Sequence, residues 1–196
     1  MYFVDDGFLT SISEYSVIIP LIEGKYFLFE MRSKNLKIQP QEICFPGGKI
    51  EENETPIEAA VRELYEELGI KPIEILGKLK DLITPFNLVI HPFLAKIDLS
   101  NLKLNTKEVE SIFKVPIEKF EKPFLKFNTE IKIVPPDNFP YHLIPNGKYY
   151  NWRKGNYEIL FFKYRKKVIW GITARLAFET CRKIKGGFIN EYQRTN

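Results

Sequence analysis

Gly48-Lys49-Ile50-Glu51-Glu52-Asn53-Glu54-Thr55-Pro56-Ile57-Glu58-Ala59-Ala60-Val61-Arg62-Glu63-Leu64-Tyr65-Glu66-Glu67-Leu68-Gly69-Ile70 contains the start, the stop and the apolar stripe of one short helix. Thr55 is a good N-cap, Pro56 suits the first helical position, and Glu58 completes a Thr-x-x-Glu capping box. Gly69 supplies the stop. At about 100° per residue, Ile57, Ala60, Val61, Leu64 and Leu68 share a stripe that needs a core to pack on. Glu63, Glu66 and Glu67, spaced i, i+3 and i+4, are placed together on the opposite side.

Three carboxylates on one arc repel each other. Glu66 and Glu67 also fall in the last turn, where the helix dipole disfavours negative charge. Local stability alone would not select this arrangement, but a hard cation would relieve it. Mg²⁺ takes oxygen ligands, keeps several waters, and binds through a few carboxylates plus substrate phosphates. Just ahead of the helix, Pro46-Gly47-Gly48 makes a turn whose backbone can approach a ligand closely.

The spacing is more informative than the helix alone. Gly48, five residues, Glu54, seven residues, then Arg62-Glu63-Leu64-Tyr65-Glu66-Glu67-Leu68-Gly69-Ile70 match every specified position of Gx5Ex7REUxEExGU, with U aliphatic. Each fixed residue type is only a few per cent of average composition, so a chance match falls below roughly 10⁻⁸ per start site. The segment therefore resembles the signature box of Nudix hydrolases. That resemblance implies an α/β/α sandwich with a mixed β-sheet, and a box that forms loop–helix–loop. It implies Glu63, Glu66 and Glu67 as ligands of Mg²⁺ or Mn²⁺. Arg62 becomes an orienting residue paired with an acid such as Glu54. The reaction implied is hydrolysis of a diphosphate linkage.

Leu28-Phe29-Glu30-Met31-Arg32-Ser33, three residues, Lys37, seven residues, then Phe45-Pro46-Gly47-Gly48 resembles the element before the box in coenzyme A diphosphatases, LLTxRSx3(R/K)x3Gx3FPGG. Arg32, Ser33, Lys37, Gly47 and Gly48 are the substrate-binding positions this implies. Glu30 replaces the usual Thr and Gln41 the usual Gly. Glu108-Val109 followed by Phe113-Lys114-Val115-Pro116-Ile117, and Val168-Ile169-Trp170-Gly171-Ile172-Thr173-Ala174, resemble two further elements of the same subfamily. The substrate implied is coenzyme A or an acyl derivative, and its 3′-phosphate suits the cations Arg32 and Lys37. Glu108 is a candidate general base, with Glu67 its rival and Glu110 a more distant one. Glu30 and Gln41 favour the alternative, another nucleoside diphosphate such as ADP-ribose or a dinucleotide.

Outward from these motifs, Ser16–Ile22 and Lys25–Arg32 read as strands joined through Glu23-Gly24. Ile43–Phe45 reads as a short strand, and Ile73–Ile83 and Leu88–Ile97 as two longer ones. A short helix is expected over Lys107–Phe113, strands over Ile131–Val134 and Tyr157–Lys163, and a helix over Ile169–Ile184 stopped by Gly186-Gly187. No repeat or linker divides the 196 residues, so one domain is expected over 1–196. Net charge is +4, which suits an anionic small molecule but is too weak to require nucleic acid. The run Lys163, Arg165, Lys166 and Lys167 lacks RNA-reading companions and reads as a solvated strand end. A non-catalytic binding module has no need of the repulsive acids. No apolar run is long enough for a membrane span, and Met1–Asp6 opens with acids rather than a basic leader. Cys44 and Cys181 have no ligand spacing and read as core thiols of a cytoplasmic protein. His91 and His142 read as structural, Trp170 and Thr173 as packing residues. A homodimer is compatible with this reading.

Overall fold

The computed structural model describes residues 12–187, so Met1–Asp6 lies outside the described residues. The elements are β1 (Ser13–Ile22), β2 (Tyr26–Arg32), β3 (Ile43–Cys44), β4 (Gly47–Lys49), α1 (Pro56–Leu68), β5 (Glu74–Lys78), β6 (Leu82–Ile83), β7 (Leu88–Lys96), β8 (Val109–Pro116), β9 (Leu125–Ile131), β10 (Gly155–Tyr164), β11 (Lys167–Trp170) and α2 (Gly171–Lys185). β1 is the centre of a mixed sheet. It runs parallel to β7 and antiparallel to β2 and β4. β5 and β6 extend the sheet beyond β7, while β3 and β8 flank β2. A smaller antiparallel sheet has the order β11-β10-β9.

Side chains alternate across the main sheet with period two. Ile18, Ile22, Leu28, Phe93 and Ala95 face α1 and pack with its Ala60, Leu64 and Leu68. Ile19, Leu21, Phe27, Phe29 and Leu94 face the other way, toward Ala174, Ala177 and Cys181 of α2. The architecture is thus an α/β/α sandwich, as the resemblance implied. Leu160, Phe162 and Ile169 from the smaller sheet join the α2-side core. Phe29 anchors that core, with its ring 4.5 Å from Phe45 and 5.7 Å from Phe113.

Several expectations need correction. Lys107–Phe113 is not helical: a turn at 106–108 leads into β8, whose β-branched and aromatic residues complete a long ladder on β2. The run 73–83 divides into β5 and β6, with a register shift between Ile75 and Gly77. The strand expected at Ile131–Val134 lies earlier, as β9, and ends before Pro135-Pro136. The last helix starts at Gly171 rather than Ile169, because Lys167–Trp170 pairs with β10. Cys181 is buried in the core, but Cys44 is only half-buried and turns toward a carboxylate. None of the described helices is long and apolar enough to cross a membrane.

Candidate active site

Helix α1 begins as the capping box requires. Thr55 Oγ1 accepts the Glu58 N–H, and the Glu58 carboxylate accepts the Thr55 N–H at 2.9 Å. Gly69 closes the helix at φ 68° and donates its N–H to the Tyr65 carbonyl. Leu64 and Leu68 are fully buried, which fixes the rotation of the helix over the sheet. That rotation separates the three acids. Glu66 is half-exposed and Glu63 partly covered, whereas Glu67 is only 3% exposed. Glu67 therefore belongs to the buried edge of the stripe, not to the opposite side. At 3.6 residues per turn, residue 67 falls almost directly above Ala60.

Two backbone features bring β4 onto this edge. The Gly47 N–H donates to Glu67 Oε2 at 3.0 Å. Gly48 lies against Glu63 so closely that a Cβ there would sit 2.2 Å from Glu63 Oε1. A Cβ on Gly47 would meet the Ser16 carbonyl at 2.3 Å, since β4 is sandwiched against β1. Both glycines are required by close approach.

Arg62 organises the outer half of the cluster. Its Nε and Nη2 fork onto the two oxygens of Glu54 at 2.8 and 2.9 Å. Nη1 reaches Glu63 at 2.8 Å and Glu66 at 3.3 Å, and Nη2 also donates to the Lys49 carbonyl at 3.2 Å. The Glu54 partner that the resemblance implied is thus present. Arg62 holds the Glu54 carboxyl below its ordinary range.

Glu67 has no such ion pair, and Arg32 acts on Glu30 only through its charge. Burial, then the neighbouring charge of Glu30, pushes Glu67 up to about 10. Burial likewise lifts Glu30 to about 7 and raises Glu63. Glu108, in the turn before β8, adds its charge to Glu30, Glu63 and Glu67 and is held by Asn105 Nδ2 at 3.1 Å. Glu110 is exposed on β8.

Arg32 ends β2 at a bulge opposite Val109, with its Nε buried and without a hydrogen-bond partner. Ser33 is buried and bonded through its N–H to the Glu108 carbonyl at 2.7 Å. Lys37 stands exposed on the loop between β2 and β3. Gln41 occupies that loop at φ 61°, a left-handed conformation that explains why glycine is usual in the related element. The sequence reading missed Glu30 as a buried member of the cluster. Its only sequence signal is an acid at an inward position of a strand. His91 is buried and satisfied, as a structural histidine is, bridging Asp81 at 2.9 Å and Glu14 at 2.8 Å. His142 is exposed in a 3₁₀ turn. The basic run forms the β10–β11 hairpin, where Lys167 lies 4.4 Å from the Phe113 ring centroid. Trp170 stacks on Phe161 and is 45% exposed.

Among the described residues, no three His, Cys, Asp or Glu side chains are drawn together tightly enough to cage a cation as they stand. The donor set nevertheless fits a hard divalent ion. All its members are carboxylates, and buried Glu67 has one backbone donor and no compensating charge.

A NUDIX domain family model matches residues 13–135, which span β1, the whole box and the turn bearing Glu108. The chain belongs to the NUDIX family. Its Nudix relatives include "Nudix hydrolase 3" of Caenorhabditis elegans, 38% identical over 56% of this chain and 50% of that protein. "Peroxisomal coenzyme A diphosphatase NUDT7" of Mus musculus is 34% identical over 62% of this chain and 54% of that one. The chain therefore spans about half the length of these curated relatives. The crystal structure of MutT protein from Methanosarcina mazei Go1 aligns at 23% identity with a TM-score of 0.45, over 57% of this chain and 81% of that chain.

Proposed function

We propose that this Nudix chain, read as one domain over 1–196, is a metal-dependent hydrolase. It splits the diphosphate of coenzyme A or an acyl derivative into 3′-phosphoadenosine 5′-phosphate and a 4′-phosphopantetheine. The observation that carries the reading is Arg32, whose charge acts on Glu30, a buried neighbour of the Glu67 carboxylate that accepts the Gly47 N–H. Arg32 has a buried Nε with no protein partner, as a residue awaiting an anion would have. The named activity of the mouse relative supports the same substrate. Glu63, Glu66 and Glu67 would hold Mg²⁺ or Mn²⁺, which supplies charge neutralisation for the diphosphate and acidifies a bound water.

The chain's own residues supply the positioning. Arg62, locked by Glu54, fixes the rotamers of Glu63 and Glu66. Gly47 and Gly48 let phosphate oxygens approach the backbone. Glu108, whose charge acts on Glu30, Glu63 and Glu67, receives the proton of the attacking water, with Glu67 the alternative acceptor. Arg32 and Lys37 take the 3′-phosphate, Arg as a fork and Lys as a point charge; Ser33 holds the Arg32 turn. Two free cysteines suit a reducing compartment, and we place the protein in the cytoplasm as a monomer or homodimer.

A substrate panel resolved by mass spectrometry tests this. Coenzyme A should be cleaved faster than its dephospho form, with the 3′-phosphate retained in the product. Arg32→Ala should narrow that ratio by about 10- to 100-fold, mainly by slowing coenzyme A. Cleavage of ADP-ribose alone would replace this reading with the broader nucleoside-diphosphate one, which Glu30 and Gln41 favour.

A further inference from the structure

Glu30 is 1% exposed, and the subfamily element, with Thr at this position, assigns it no role. The alternation of β2 places it with Leu28 on the α1 side of the sheet. Its cross-strand neighbour is Cys44, whose Sγ–H donates to Glu30 Oε1 at 3.2 Å. Burial and the charge of Glu30 hold that thiol well above its ordinary range, so it remains a proton donor and fixes Oε1 as an acceptor. Oε2 is buried and has no protein donor other than the neighbouring Glu67 carboxyl, with which it can bond only while one of the two is protonated. Among neighbouring charges, Glu30 acts most strongly on Glu67. A carboxylate oxygen is a strong acceptor, and leaving one bare in the interior is costly. Packing does not call for it, since an apolar or hydroxyl side chain would fill β2 there at no such cost.

We propose that Glu30 is a fourth carboxylate of the metal centre, presenting Oε2 to the cation held by Glu63, Glu66 and Glu67. The inference rests on the metal reading of those three residues. In this arrangement Cys44 is an orienting donor to a ligand, the position usually occupied by a backbone or carboxylate group behind metal-binding side chains. The oxygen-only donor set suits Mg²⁺ and Mn²⁺, and the protonated thiol is no ligand for either. The centre thereby gains a negative charge that a Thr at this position would not provide, and with it a tighter hold on the cation.

Glu30→Gln retains the shape and the acceptor for Cys44 while removing the charge. Mn²⁺ titrated calorimetrically into the metal-free chain should bind about 10- to 100-fold more weakly to this variant. The metal-free variant should melt at or above the wild-type temperature, because a repulsive buried charge is gone. A residue that only supports the scaffold would lower the melting temperature and leave Mn²⁺ affinity alone. Mn²⁺ binding as tight as wild type in Glu30→Gln, with binding lost in Glu67→Gln, overturns the proposal and leaves Glu30 sharing a proton with its neighbour. If Glu67→Gln also binds normally, the metal reading of the helix falls instead. Should Glu30→Gln not fold, Glu30→Asp decides by the same titration: weakened binding supports the role and unchanged binding removes it.

Discussion

The Gly47 N–H and Glu67 Oε2 meet at 3.0 Å, joining the start of β4 to the last turn of α1. One backbone donor is a small return for a carboxylate that is 3% exposed. The stability lost there is the stability a bound cation can restore. Glu67 is accordingly the residue at which folding and activity are most directly opposed.

Glu67→Gln should reduce turnover by at least about 10²-fold, through loss of charge neutralisation in the transition state. The metal-free melting temperature should rise. EDTA should abolish wild-type activity and Mg²⁺ or Mn²⁺ restore it. Wild-type turnover in the folded variant removes Glu67 from the site.

Stability of the metal-free protein should fall as pH rises. Glu30 and Glu67 are lifted to about 7 and about 10, against an ordinary 4.5, so the folded chain binds their protons more tightly than the unfolded chain. Their contribution is complete below about pH 4.5 and is lost as pH climbs through those values. Calorimetric melting in EDTA should therefore show a lower transition at about pH 8.5 than at about pH 6. Excess Mg²⁺ should flatten the difference. A metal-free transition that rises over this interval contradicts the buried-carboxylate account.

The two glycines of the turn should fail differently. Gly47→Ala meets the Ser16 carbonyl, which cannot move without breaking β1–β4 pairing, so stability falls by about 1–3 kcal/mol. Gly48→Ala meets the end of the Glu63 side chain, which can swing away. It should keep its urea midpoint and lose activity, by at least about tenfold, with weaker metal binding. Equal behaviour of the two variants would show that Gly48 does not shape the Glu63 position.

Arg62→Lys preserves the charge but not the fork onto Glu54, nor the reach to Glu63, Glu66 and the Lys49 carbonyl. Turnover should drop about 10-fold or more, since bidentate geometry has no ammonium substitute. Steady-state kinetics beside Arg62→Ala will show whether Lys recovers anything.

Gln41→Gly should stabilise the chain by up to about 1 kcal/mol, because a left-handed φ of 61° strains any residue with a Cβ, less the extra chain entropy of glycine. Urea unfolding reads this directly. A loss of stability would mean that the Gln41 side chain makes a compensating contact.

Helix α1 was legible in detail because its caps and stripe are local: Thr55, Glu58, Leu64 and Gly69 encode it without help from the rest of the chain. The β1–β2 hairpin was equally plain. β8 was not, because Val109, Ile112 and Phe113 satisfy a helical spacing as well as a strand until β2 supplies a partner. β11 was hidden for the same reason, its Ile169 continuing the stripe of α2 while its backbone pairs with β10. Within the site, the box spacing identified Arg62 and the three helix acids, but not their unequal burial. That depends on how far Leu64 and Leu68 rotate the helix into the sheet. Glu30 and the carboxylates around His91 are brought together by strand register across distant segments, which no local pattern records.

The alternation of the central strands also divides the molecule for anyone who wishes to engineer it. Phe27, Phe29 and Leu94 report to the α2 side, whereas Leu28, Glu30 and Phe93 report to the α1 side. Repacking around Ile172, Phe178 and Ile184 alters a layer separated from the carboxylates by the thickness of the sheet. Gains in heat tolerance obtained there should be inherited without a catalytic penalty, while improvements sought beneath α1 will trade directly against turnover.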